Sequence, residues 1–354
     1  MSKKSTAPVA GVTDAENNIA NKEVEGLSQG QIVRRRFFRH KGAVISMISL
    51  AFIIVLAFTA VGFDFSFFGI QVKTPGWWLW TWTDIPQEVQ NGGQPTLSLV
   101  PEWLGGAGVT LGLHPFGQDE IGRDTFAVVM RGTQQSIVIM LIVGVIATAI
   151  GTVIGAVSGY YRGWVDAVLM RLTDMVIVIP LIVIGAVLGR AVGGLGAAFL
   201  AVIIGLFTWT GLARLVRAEV LSLREREFVD AARVAGASDR RIIFKHILPN
   251  AIGVIIVNTT LLMAAAILLE TGLSFLGFGV QPPDTSLGVI ISQNQAAFAT
   301  RPWLFWWPGA FIIAIALCIN FIGDGLRDAF DPRQKRMPTA RALTKPKAAA
   351  PTAG

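Results

Sequence analysis

The residues able to do covalent chemistry are few, and their spacing does not suit it. No lysine follows a glycine, so the Gly-Lys-Ser/Thr of a phosphate-cradling loop is absent. His-Glu-x-x-His does not occur, and the three histidines, His40, His114 and His246, fall in separate segments. The single cysteine, Cys318, excludes an intrachain disulfide and a multi-cysteine metal site. The string GGLGAAF from Gly193 lacks the third glycine of a dinucleotide turn and reads as a turn between apolar runs. The expectation is a chain with no catalytic residue, no cofactor and no metal of its own. Two polar features remain. One is EFVDAARVAGASDRRIIFKHILPN, residues 227–250, with seven charged residues in a chain that is 53% hydrophobic and 15% charged. The other is a set of polar side chains inside apolar runs: Asp174, Asn258, Thr259 and Thr260. These could line a route for a polar solute, or bind neighbouring helices.

The elements that must position them are membrane helices. About 20 apolar residues suffice to cross the hydrocarbon layer. Residues 42–63, 133–161, 191–213, 247–269 and 302–323 carry no charge over 22, 29, 23, 23 and 22 positions. A sixth span, 166–189, has only 15 charge-free residues, 175–189, and contains Arg171 and Asp174 three residues apart, where they can pair on one helix face. Pro180 is expected to bend it. The reading is an all-α membrane protein with six transmembrane helices, spanning about 42–63, 133–161, 166–189, 191–221, 247–269 and 302–323. Residues 64–132 form an outer loop, and the whole transmembrane domain covers 42–330.

Charge gives the orientation. With the N-terminus inside, the cytoplasmic segments hold 25 of the 30 Lys and Arg residues, and the outer segments hold only Lys73, Arg123, Arg131, Arg190 and Arg301. Both termini are therefore expected in the cytoplasm. The net charge of +7 serves orientation and attraction to lipid headgroups, not nucleic acid. Residues 1–41 and 331–354 are polar tails whose composition predicts no packed structure. No cleavable signal is expected, since the first apolar run follows a polar tail of about forty residues and serves as an anchor.

The charged stretch lies between the fourth and fifth spans. Ser222 and Glu225 match a capping box. Phe228, Ala231, Ala232 and Ala235 follow the spacing of one helix face, and Gly236 suits the left-handed turn that ends a helix. Ser238 suits the start of the next helix, which leads to Pro249. Small alanines beside charges allow another protein surface close approach; the alternative is a solvated connector, which charge runs usually are.

This stretch resembles the EAA loop of ATP-binding-cassette importer permeases. Asp230-Ala231-Ala232, Gly236 and Ile247-Leu248-Pro249 match it in order and spacing, with Asp230 in place of the usual glutamate. His246 resembles the peptide-importing branch. HPFGQDEIGRD at 114–124, LSFLGFGVQPPDTSLG at 273–288 and IGDGLRDAFDPR at 322–333 extend the resemblance over about residues 30–336, to the C-type permeases of the dipeptide, oligopeptide and nickel family. Two departures stand out: Gln134 where the family commonly has arginine, and the tryptophan-rich TPGWWLWTWTDIPQEVQNGGQP of the outer loop.

The resemblance implies a bacterial inner-membrane subunit forming half of a translocation pathway for di- or oligopeptides. Its partners would be a sister permease, two ATPase subunits carrying ATP and Mg, and an extracytoplasmic binding protein. Phe228, Asp230, Ala231, Ala232, Gly236 and Ala237 would form the coupling helix that docks on an ATPase. Nickel or another small solute is one alternative, and a non-transporting signalling or assembly protein is another. Trp77, Trp78, Trp80, Trp82 and Trp103 are expected either to rest in the headgroup layer or to meet the binding protein.

Overall fold

The structure, a computed structural model, describes residues 29–331 apart from 68–69, 86–88, 99–102, 104–107, 109, 193–195 and 283. The GGLGAAF turn therefore lies partly outside the described residues, as do both outer parts of the tails. The chain runs as helix α1 (Gln29–Phe37), α2 (Lys41–Ala60), a hairpin of β1 (Phe63–Phe67) and β2 (Ile70–Thr74), then α3 (Thr125–Tyr161) and α4 (Gly163–Val178). It continues as α5 (Leu181–Val192), α6 (Ala197–Thr208), α7 (Thr210–Arg224) and α8 (Glu227–Val234). The last helices are α9 (Asp239–Phe275, continuous through a widened turn at Ile242–Ile247), α10 (Leu287–Gln293) and α11 (Trp303–Phe330).

Four helices, α2, α3, α9 and α11, are long and apolar enough to cross a membrane unaided. The pairs α4–α5 and α6–α7 qualify only together, bent by 77° and 42°. By length and composition the described residues thus offer four spans, or up to six where each bent pair crosses as one. The first break falls at Ile179 and Pro180, because proline lacks the amide hydrogen that would continue the helix. The second falls at Trp209, whose ring N–H donates to the Leu206 carbonyl at 2.8 Å.

Charge-free runs underestimate the helices. α3 begins at Thr125, not 133, because Asp124 caps it and accepts from the Ala127 amide at 2.9 Å. Arg131, which interrupts the apolar run, is held by Asp284 at 2.7 Å. α9 continues past Leu269 because Glu270 is fully buried and hydrogen-bonded. α11 extends to Phe330, and the outer loop contains a short β-hairpin that the all-α reading omits.

The core is helix-on-helix. Ile53, Met130, Ile137, Ile267, Ile290 and Ile315 bring α2, α3, α9, α10 and α11 into one cluster. Phe37, Ala43 and Ala329 join α1 and the start of α2 to the end of α11, and the Arg36 guanidinium donates to the Asp331 carbonyl at 2.9 Å. Gly253 of α9 abuts Phe330. Both described chain ends and the loop around α8 therefore gather at one end of the bundle.

α3 and α7 approach unusually closely through a stripe of small residues. A Cβ at Gly151, Gly155 or Gly159 would meet the carbonyls of Trp209, Ala213 and Arg217 at 2.9, 2.4 and 2.8 Å. This is the small-xxx-small contact that membrane helices use where hydrophobicity cannot drive association.

Candidate coupling surface

α7 carries the chain to the loop and ends at Arg224, so Ser222 lies inside its last turn and caps nothing. The expected capping box is not formed: α8 starts after an extended Arg226 with no side-chain cap. Glu227 and Asp230 in its first turn instead complement the positive helix end. Asp230 pairs with Arg233 at 3.0 Å on the exposed side. The helix stops as expected at Gly236, with φ of +78°. The Ala235, Gly236 and Ala237 amides turn back to the carbonyls of Ala231, Arg233 and Ala232 at 3.0 Å each. Nothing lies within 4 Å of a Cβ at Gly236, so backbone conformation alone requires glycine there. Ser238 precedes the next helix in an extended conformation but gives no side-chain cap.

The faces of α8 divide differently from the expected stripe. Val229, fully buried, and Ala232, 8% exposed, point into the chain's own core against Val216, Val220, Ile242, Ile243 and Ile247. Ala237 packs on the same cluster. Phe228, Asp230, Ala231, Ala235, Gly236 and Val234 face outward, Val234 at 90% exposure. Of the expected docking residues, Ala232 and Ala237 therefore anchor the loop rather than present it. Val229, which sequence reasoning missed, is its main anchor. The signal was present in the 229/232 pair alternating with the isoleucines at 242, 243 and 247.

A polar ladder ties this loop to the spans. The Tyr160 hydroxyl donates to Asp239 at 2.7 Å, and the Arg224 guanidinium donates to the Tyr160 carbonyl and lies over its ring. Arg162, in a left-handed turn between α3 and α4, pairs with Glu225 at 2.6 Å. Arg217 binds both oxygens of Asp166 at 2.6 Å. Asp174 pairs with Arg214 of α7 at 2.5 Å rather than with Arg171, because α7 lies alongside α4. Arg233, beside Tyr160, is held above the usual arginine range, chiefly by the hydrogen bond to that hydroxyl.

The other polar candidates are occupied by helix packing. Asn258 donates to the Val254 carbonyl at 2.8 Å. Thr259 bonds the Ile255 carbonyl and the Thr148 hydroxyl of α3 at 2.8 and 2.9 Å. Thr260 bonds the Val257 carbonyl, and its hydroxyl occupies the space a Cβ on Gly323 would need. Gln134 is buried and donates to the Ala57 and Gly62 carbonyls at 2.7 and 2.5 Å, closing the end of α2.

At the end opposite the loop, the 114–124 motif folds into a polar cap. Asp124 accepts from Trp78 Nε1 and from the Ala127 amide, and pairs with His114 Nδ1 at 2.9 Å. Burial pushes the Asp124 carboxyl above the usual carboxylate range, against the opposing pull of these three hydrogen bonds. The tryptophan segment belongs to this cap. Trp78 packs on Phe126, Trp80 stacks on His114 at 5.6 Å, and Arg131 lies 5.4 Å over Trp82. Trp77 and Trp103 remain exposed. Three of the five tryptophans are thus internal packing groups, a use that neither expectation included.

One further string, Gly26-Leu-Ser-Gln-Gly30, has the spelling of a nucleophile elbow. Its serine lies outside the described residues, and its last two residues, Gln29 and Gly30, open the basic helix α1.

Comparison with known proteins agrees with this arrangement. Residues 151–336 match the model of the binding-protein-dependent transport system inner membrane component. Residues 28–67 match the N-terminal TM domain of oligopeptide transport permease C. The oligopeptide transport system permease protein OppC of Mycobacterium tuberculosis is 37% identical over 319 residues, covering 88% of this chain and 98% of the relative. The protein of the same description from Haemophilus influenzae is 36% identical over 324 residues, covering 92% and 95%. With its helical spans and these matches over most of its length, the chain belongs to the family of binding-protein-dependent transport system inner membrane components, as a multi-pass inner-membrane permease.

Proposed function

We propose that the chain is one of two permease subunits of an ATP-driven importer of di- or oligopeptides. In this reading the end carrying α8 and both described chain ends is cytoplasmic. The exposed face of α8 docks on an ATPase subunit, where ATP and Mg are bound, and the opposite end receives a solute-loaded binding protein. The observation that carries the reading is the division of α8. Val229 and Ala232 fix it to the spans while Phe228, Ala231, Val234 and Ala235 are left outward. A connector needs no apolar outward face, whereas a transmitted element needs both a rigid root and a contact surface. The ladder through Asp239, Tyr160, Arg224 and Arg217 continues that root into α3, α4 and α7.

ATP binding on the partners would move α8 and, through this ladder, the broken spans. This chain's contribution is mechanical. The peptide class rests on the names of the relatives and on His246. The test is uptake into vesicles holding this chain, a sister permease and the ATPases, with binding protein outside. ATP-dependent uptake of labelled peptide is expected. Uptake of nickel without peptide would replace the substrate class, and no ATP-dependent uptake of either would remove the importer reading.

A further inference from the structure

We propose that Glu270 is a positioning residue that sets the seat of α10, and with it the outer surface that responds to a loaded binding protein. This rests on the importer reading above. Glu270 lies in α9 with no exposed surface. Its Oε1 accepts from Ser274 Oγ at 2.7 Å, and its Oε2 accepts from Ser136 Oγ of α3 at 3.1 Å. Among the described residues it has no ion-pair partner, and Arg131 is engaged by Asp284 instead.

The hydroxyl directions are fixed from outside the cluster. Ser274 Oγ accepts from the Val280 amide and from Ser286 Oγ, both at 3.2 Å, so its lone pairs are taken and its own proton must go to Glu270. Ser286 in turn caps α10 by accepting from the Val289 amide at 3.3 Å. Ser136 Oγ faces the Leu287 amide at 3.5 Å. The hydrogen bonds at Ser286 and Leu287 therefore lead to one carboxyl, which joins α3, α9 and α10, while Asp284, just before them, is tied to α3 separately by Arg131 and Gln135.

A buried carboxyl without a cation is a costly way to join helices, since apolar packing would serve at less cost. What it adds is direction. The seat is also sterically exact in one dimension: a Cβ at Gly288 would lie 2.6 Å from the Thr271 carbonyl. α10 and the turn before it supply Pro282, Asp284, Thr285 and Gln293 to the lining of a cavity of about 450 Å³, which Trp82 and Glu120 also line. Shifting α10 would reshape that cavity without touching the loop at α8.

The experiment uses the assembled complex in vesicles, with Glu270→Ala, Glu270→Gln and Ser136→Ala. It reads complex yield, basal ATP hydrolysis, and the concentration of solute-loaded binding protein giving half-maximal stimulation. Glu270→Ala and Ser136→Ala should assemble and retain basal hydrolysis. Their half-stimulating concentration should rise roughly tenfold, as expected when Ser136→Ala removes one buried hydrogen bond to Glu270 and Glu270→Ala removes two. Glu270→Gln should recover part of this, because its carbonyl still accepts the Ser274 proton. Wild-type stimulation curves in Glu270→Ala or in Ser136→Ala would overturn the proposal. So would an equal loss of assembly in Glu270→Gln and Ser136→Ala, which would make the cluster a folding element only. Failure of the wild-type complex to respond to any binding protein would instead remove the importer reading itself.

Discussion

Arg217 of α7 grips Asp166 of α4 through two parallel hydrogen bonds, Nε to Oδ1 and Nη2 to Oδ2, each 2.6 Å long. Ser158 of α3 donates to the same carboxylate, so three helices meet at one aspartate. The planar fork of arginine suits this bidentate geometry, which a lysine would not reproduce. Asp166→Asn keeps the shape and removes the charge. The expected result is a loss of about 1.5–3 kcal/mol, the usual worth of hydrogen bonds to charged groups. Thermal unfolding of the purified protein in detergent measures it, and an unchanged midpoint would show that the pair is not holding α4 to α7.

The spans were legible because their signal is long and redundant. Twenty charge-free residues have few other uses, and the distribution of 25 basic residues against 5 pointed to a common side for the loop and both tails. Their limits were not legible, because a charge was taken as a boundary. Arg131 and Glu270 show why that rule fails: each is buried within a helix and matched by a partner distant in sequence. The Arg171–Asp174 pairing failed for a related reason. Spacing on one helix identifies who can pair, but Arg214 of a neighbouring helix competes and wins. On α8, helical spacing grouped Ala232 with Phe228, Ala231 and Ala235, whereas in the fold Ala232 turns inward with Val229 and the other three stay outward. That depends on Ile242, Ile243 and Ile247 folding back over Val229.

The α3–α7 contact makes a second prediction. Gly155 faces the Ala213 carbonyl, where a Cβ would lie 2.4 Å away. Gly155→Val should push the helices apart and cost at least the 1–3 kcal/mol typical of overpacking. Gly272, where nothing lies within 4 Å of a Cβ, is the matched control, and Gly272→Ala should be neutral or mildly stabilising. The recovery of monodisperse protein and its melting temperature would check both. Equal behaviour of the two variants would contradict the close approach.

Orientation is tested by thiol labelling. Cys318 is buried in α11 and is replaced by serine first. With Glu120→Cys the exposed position at the cap should react with a membrane-impermeant reagent in intact cells. With Ser238→Cys, at the opposite end, labelling should appear only after the membrane is opened. Labelling of Ser238→Cys in intact cells would invert the orientation and with it the docking assignment.

The central claim is that the outward face of α8 docks on an ATPase subunit. Ala232→Glu does not test it, because Ala232 is buried in the chain's own cluster and a charge there would damage the loop itself. Ala231→Glu does, since Ala231 is exposed and its change should cost the isolated permease no more than about 0.5 kcal/mol. The decisive measurement is co-purification of the ATPase subunits with Ala231→Glu permease, with membrane insertion and melting temperature followed in parallel. The account predicts normal insertion, an unchanged melting temperature of the isolated permease, and loss of the ATPases. Retention of the ATPases at the wild-type ratio, with peptide uptake intact, would contradict it.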